Sequence, residues 1–77
     1  MSLIQKPDVG TRYALCPATN TTVEAAAAPG RNRANIVVVS VAGEVKFQKT
    51  VKGQCSLQRA YEDGLDWARE HVEGFGK

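Results

Sequence analysis

Histidine occurs once in this chain, cysteine twice, and aromatic residues make up only 6% of it. Each scarcity removes a class of function. One histidine and no closely spaced cysteine pair leave no ligand set for a metal. No glycine-rich phosphate loop is present, and no nucleophile stands beside an evident base, so enzymatic activity and a cofactor are not expected. No apolar run is long enough to cross a membrane. The N-terminal MSLIQKPDVG has no apolar stretch of the kind a secretory signal needs. A cytoplasmic location with free thiols is therefore the expectation. A single Cys16–Cys55 disulfide, which would staple so small a domain, stays open.

What is present fits one domain spanning residues 1–77. With 77 residues, 43% of them hydrophobic, the chain is near the lower limit for a single core. Many of the apolar residues are alanines, which bury little area. The core is expected to be thin and to rest on Leu15, Ile36, Val38, Phe47, Leu57, Tyr61, Leu65 and Trp67. Such a fold is marginally stable or helped by a second copy.

The clearest element lies at the C-terminal end. Ser56 is suited to cap a helix, Gly74 to stop it, and Phe75 to fold back onto the last turn. Wound at ~100° per residue, Leu57, Ala60, Tyr61, Gly64, Leu65, Trp67, Ala68, His71 and Val72 form one sector. Gln58, Arg59, Glu62, Asp63, Asp66, Arg69, Glu70 and Glu73 form the other. A face this broad must dock on something.

The remainder reads as strands that can supply that surface. Residues 1–10 are expected to be a loose arm. TRYALC (11–16) puts Tyr13 and Leu15 on one face, and Pro17–Asn20 is a turn by composition. TTVEAAAA (21–28) fits either a strand or a short helix opened by a Thr21/Glu24 capping box. NIVVVSV (35–41) is the strongest strand signal, apolar on both faces. Ala42–Gly43 is a tight turn. In EVKFQKTVK (44–52), Val45, Phe47 and Val51 alternate with Lys46, Gln48, Thr50 and Lys52, and Lys49 breaks the pattern, as a bulge would. The expected fold is α+β: a three- to four-stranded antiparallel meander packed against one C-terminal helix. The helix covers one side, and the other, expected to carry Val37, Val39 and Val41, invites a homodimer.

Charge separates along the chain although the net is only +2. Residues 1–60 hold eight Lys/Arg against three acids, giving +5, and residues 61–77 hold two against five, giving −3. Candidate DNA contacts are Arg31, Asn32 and Arg33 in a loop and Lys46, Gln48, Thr50 and Lys52 on a strand face. A sheet of this kind can enter a major groove, with lysines on phosphates. No aromatics alternate with these lysines, which argues against a single-strand stacking platform.

From Ala34 through Glu70 the chain has a strand, a glycine turn, a basic strand, and a helix ending in Trp67-Ala68-Arg69-Glu70. In this it resembles the arm-type (AP2-like) N-terminal DNA-binding domain of phage tyrosine recombinases. The resemblance implies a sheet facing double-stranded DNA through Lys46, Gln48 and Thr50. The alternative is an accessory protein of phage or mobile-element type that binds and inhibits a host protein. Its contact would be the acidic helix face (Glu62, Asp63, Asp66, Glu70) or an edge strand.

Overall fold

In the computed structural model, which describes residues 4–5, 10–28, 34–53 and 56–76, five strands and one helix follow in chain order. They are β1 (Ile4–Gln5), β2 (Thr11–Cys16), β3 (Thr21–Ala27), β4 (Ala34–Val41), β5 (Glu44–Lys52) and α1 (Ser56–His71). The strands form one antiparallel sheet in sequential order β1-β2-β3-β4-β5. The architecture is α+β as expected, with five strands rather than three or four. The additional strand lies in the segment read as a loose arm, where Ile4 pairs with Leu15 and Gln5 with Ala14. Residues 21–27 are a strand, because pairing on both sides replaces the local bonds a seven-residue helix would offer.

The turns follow from backbone chemistry. Ala42 and Gly43 both have positive φ (54° and 81°), which the two-residue type I′ hairpin turn requires because its twist matches that of the strands. Asn20 also takes a left-handed conformation (φ 51°), and its carbonyl accepts the Ala42 amide at 2.9 Å, tying the two hairpin ends together. Opposite Val39/Ser40 the register slips: Val39 pairs with Phe47 and Ser40 with Val45, leaving Lys46 as the extra residue of a bulge.

That bulge settles the faces of β5. Before it, Val45 lies beside Ser40 and is exposed; after it, Phe47, Lys49 and Val51 lie on the helix side. Lys49 therefore does not break the alternation. Its ammonium reaches Asp63 of α1 at 3.0 Å.

The helix packs across β2–β5. Its buried residues are Ser56, Ala60, Tyr61, Gly64, Leu65 and Ala68, on the sector expected from the periodicity. They meet Ala14, Val23, Ala25, Val37 and Val39, all fully buried. Val37 and Val39 thus face the helix and not the second side of the sheet. Leu15, Ile36 and Val38, expected in the core, lie on that second side and are only partly buried. The Ser56 hydroxyl accepts a hydrogen bond from Nδ2 of Asn35 on β4, joining the helix start to the sheet. At the other end Phe75 is buried, and Gly74, with φ 86°, makes the turn that returns it.

Gly64 is the closest approach. A Cβ there would lie 2.5 Å from Val37 Cγ2 and 2.9 Å from Val23 Cγ1. Both are stiff, β-branched side chains in a closed core. Gly64→Ala should therefore destabilise by about 1–3 kcal/mol through overpacking, overriding the ~1 kcal/mol that alanine gains in helix propensity. Urea unfolding checks the sign, and a gain in stability would show that the helix sits further from the sheet. Ala42→Asn relieves a left-handed alanine. It should add about 1 kcal/mol and raise the melting temperature by roughly 4–8 °C, read by circular dichroism.

Candidate binding surface

Register defines the face that α1 leaves open. Residues directly opposite in neighbouring strands share a face. One row across the sheet is Ile4, Leu15, Thr22, Ser40 and Val45; the next is Tyr13, Glu24, Val38 and Gln48; the third is Thr11, Ala26, Ile36 and Thr50; and Ala34 with Lys52 closes the end. Six large apolar side chains thus stand on one side that no described element covers: Ile4, Tyr13, Leu15, Ile36, Val38 and Val45. Ile4 and Val45 are the most exposed, at 45% and 54%. None of the six belongs to the cluster beneath the helix. The charges in these rows, among the described residues, are Glu24 and Lys52.

The candidate DNA contacts are divided by this geometry. Gln48, Thr50 and Lys52 share the open face. Lys46 is at the bulge, where its ammonium is 3.3 Å from a Glu44 carboxylate. That exposed pair contributes little stability. Arg31, Asn32 and Arg33 lie outside the described residues, in the connection between β3 and β4, and Cys55 lies outside them too.

The acidic helix face is laced with local partners. Asp63, partly buried, holds Lys49; Asp66 holds Arg69 at 3.2 Å; Glu62 accepts from Gln58 Nε2 at 3.3 Å. Glu70 is 4.0 Å from the His71 ring. His71 itself is exposed, and its ring rests on Trp67 with centroids 4.8 Å apart, while Trp67 stacks on Phe47 at 5.2 Å. This three-ring ladder seals the core along β5.

Two further groups tie the outer segments down. Cys16 is a free, buried thiol. Hydrogen bonds from the Thr19 side chain and the Gly76 amide hold it below the usual thiol range, and they bring the C-terminal turn against the β2–β3 turn. Tyr61 donates to Gln5 Oε1 at 3.3 Å, which anchors β1. Burial raises the Tyr61 hydroxyl above its ordinary value of 10, against the opposing positive charges of Arg12 and Arg69.

The residues of the open face that the sequence did not assign to a surface are Ile4, Leu15, Ile36, Val38 and Val45. Their signal was indirect. A helix seam of Ala60, Gly64 and Ala68 fits over a sheet face that is itself small and flat, and Ala14, Ala25, Val37 and Val39 match it better than Leu15, Ile36 and Val38.

Among the described residues no group of His, Cys, Asp and Glu is placed to hold a metal ion, and no helix is long and apolar enough to cross a membrane. Compared with models of known protein families, with curated proteins and with solved structures, the chain shows no match.

Because the neutral tyrosine is the favoured form, its contribution to stability is complete below pH 10 and is lost as pH rises through the raised Tyr61 value. Tyr61→Phe should remove that alkaline component. It should also cost about 0.5–1.5 kcal/mol at neutral pH for the bond to Gln5. Unfolding at pH 7 and at high pH, with amide exchange at Ile4 and Gln5, reads both effects.

Proposed function

We propose that this chain is a non-enzymatic protein-binding module that docks its partner on the open face of its sheet. One observation carries the reading: six large apolar side chains stand on a side of the sheet that none of the described elements covers. Large apolar side chains gathered on one open face mark an interaction site. On this face Tyr13 and Leu15 of β2 and Ile36 and Val38 of β4 form two apolar rows, with Thr22, Glu24 and Ala26 of β3 between them and Gln48, Thr50 and Lys52 of β5 alongside. The acidic helix face supports the same role less well, since Glu62, Asp63 and Asp66 already have partners on the chain.

A second reading rests on the strand β5. Gln48, Thr50 and Lys52 are aligned on the open side, and the arginine-bearing β3–β4 connection leads into Ala34, which pairs with Lys52. Double-stranded DNA would meet that end of the sheet. Glu24 near the centre and the Lys46–Glu44 pair leave this face with little net positive charge. That favours the protein partner.

A photo-activatable phenylalanine analogue at position 38 or at position 62, in the full chain expressed in cells, separates the surfaces. Adducts with protein are expected from position 38 and not from 62. Adducts from 62 alone would overturn the docking face. For the DNA reading, anisotropy of a labelled duplex at ~50 and ~200 mM salt should show a steep salt dependence, lost in Lys52→Glu. Absence of binding at the lower salt rejects it.

A further inference from the structure

We infer that the partner on the open sheet face is an amphipathic α-helix of another protein, with an arginine or lysine set in its apolar stripe to meet Glu24. This rests on the docking face proposed above.

The first argument is charge. Register puts Glu24 of β3 directly between Tyr13 of β2 and Val38 of β4. Its side chain is exposed and makes no ion pair among the described residues. The other charge in these rows, Lys52, stands two strands and two rows away. That is roughly 16 Å by the spacings of strands and residues, too far for the two side chains to meet. A wholly apolar partner would bury the Glu24 carboxylate with neither a hydrogen bond nor a counter-charge, which is strongly unfavourable. Whatever covers this face therefore brings a cation to its middle.

The second argument is shape. Tyr13 and Leu15 stand in one row along β2, and Ile36 and Val38 in another along β4. The rows are two strand spacings apart, ~9.6 Å, close to the ~10 Å diameter of an α-helix. Thr22 and Ala26, on β3 between them, are shorter than the residues of either row. A helix laid along β3 thus rests on both rows. If an arginine on it has apolar residues three and four positions before and after, the arginine faces Glu24 between two apolar rows of its own.

The third argument is area. Strands β2–β5 have six to nine residues each. At ~4.8 Å between strands and ~3.3 Å per residue they present roughly 450 Å² in projection, about half of the ~800 Å² per partner of a stable interface between folded proteins. A helix of about three turns, ~16 Å by ~10 Å, fits within that face. The same sheet already carries one helix on its other side.

Anisotropy of a labelled, stapled helical peptide of about 15 residues, titrated with the full chain, tests this. The peptide is alanine-based, with a central arginine and leucines three and four positions to either side. A second peptide has glutamate in place of the arginine. The arginine peptide should bind with a Kd on the order of tens of micromolar, and the glutamate peptide about tenfold or more weakly. In Glu24→Lys, folded by circular dichroism, the preference should reverse. Val38→Lys, checked in the same way, should bind neither. No binding of the arginine peptide up to ~1 mM overturns the basic helix. So does equal binding of the two peptides, or a preference that Glu24→Lys leaves unchanged. If the arginine peptide fails to bind yet position 38 still crosslinks to a protein, the docking face stands and only the helix falls. If the peptide fails and position 38 gives no adduct, both fall.

Discussion

The fold depends on how closely one helix can approach one sheet. Ala60, Gly64 and Ala68 recur every fourth residue and make a seam with almost no side-chain height. At Gly64 the valines of β3 and β4 come so near that even a methyl group has no room. Dispersion falls steeply with distance, so a thin core of alanine and valine holds together only when the two layers are in full contact. Every other fixture serves that contact. Asn35 meets Ser56 at the start of the helix, Lys49 meets Asp63 along one flank, and Tyr61 meets Gln5 along the other. Phe75 and the Gly76 amide close the far end.

Close docking has a consequence for the rest of the molecule. The sheet face beneath a flat helix seam must itself be built from small residues, so the larger apolar side chains of β2 and β4 are left for the other side. The one helix among the described residues packs on the first side, and no described element covers the other. The apolar surface that makes this protein a candidate for recognition is thus the reverse of the same strands that make its core. Whatever binds there has direct leverage on stability, because it adds a second layer to strands that already bury the first.

Much of this was legible in the sequence. The helix could be phased residue by residue because its apolar sector is continuous and its stop is a glycine. Two of the turns, Pro17–Asn20 and Ala42–Gly43, are written in local chemistry. The assignment of faces was not legible, for a specific reason. Residues 36–39 are apolar on both sides, so alternation cannot tell Val37 and Val39 from Ile36 and Val38; only contact with Gly64 decides it. A single bulged residue, Lys46, moved Val45 to the open face, and Asp63 of α1 gave Lys49 an ion-pair partner on the helix side where alternation alone made it a misfit. The two-residue strand at Ile4–Gln5 has no local signal at all, since it is defined by pairing with β2 and by one hydrogen bond from a tyrosine 56 positions later. Surface residues behaved in the same way. Spacing showed that Glu62, Asp63 and Asp66 share a helix face, but not that each has a partner already.

The most direct test of this arrangement is a nuclear Overhauser spectrum with assigned methyl groups. Strong cross-peaks are expected from the Gly64 α-protons to the methyls of Val23 and Val37, with none from any residue of α1 to Ile36 or Val38. Contacts from the helix to Ile36 or Val38 would mean that the other side of the sheet is covered, and both the close-docking core and the open recognition face would be wrong.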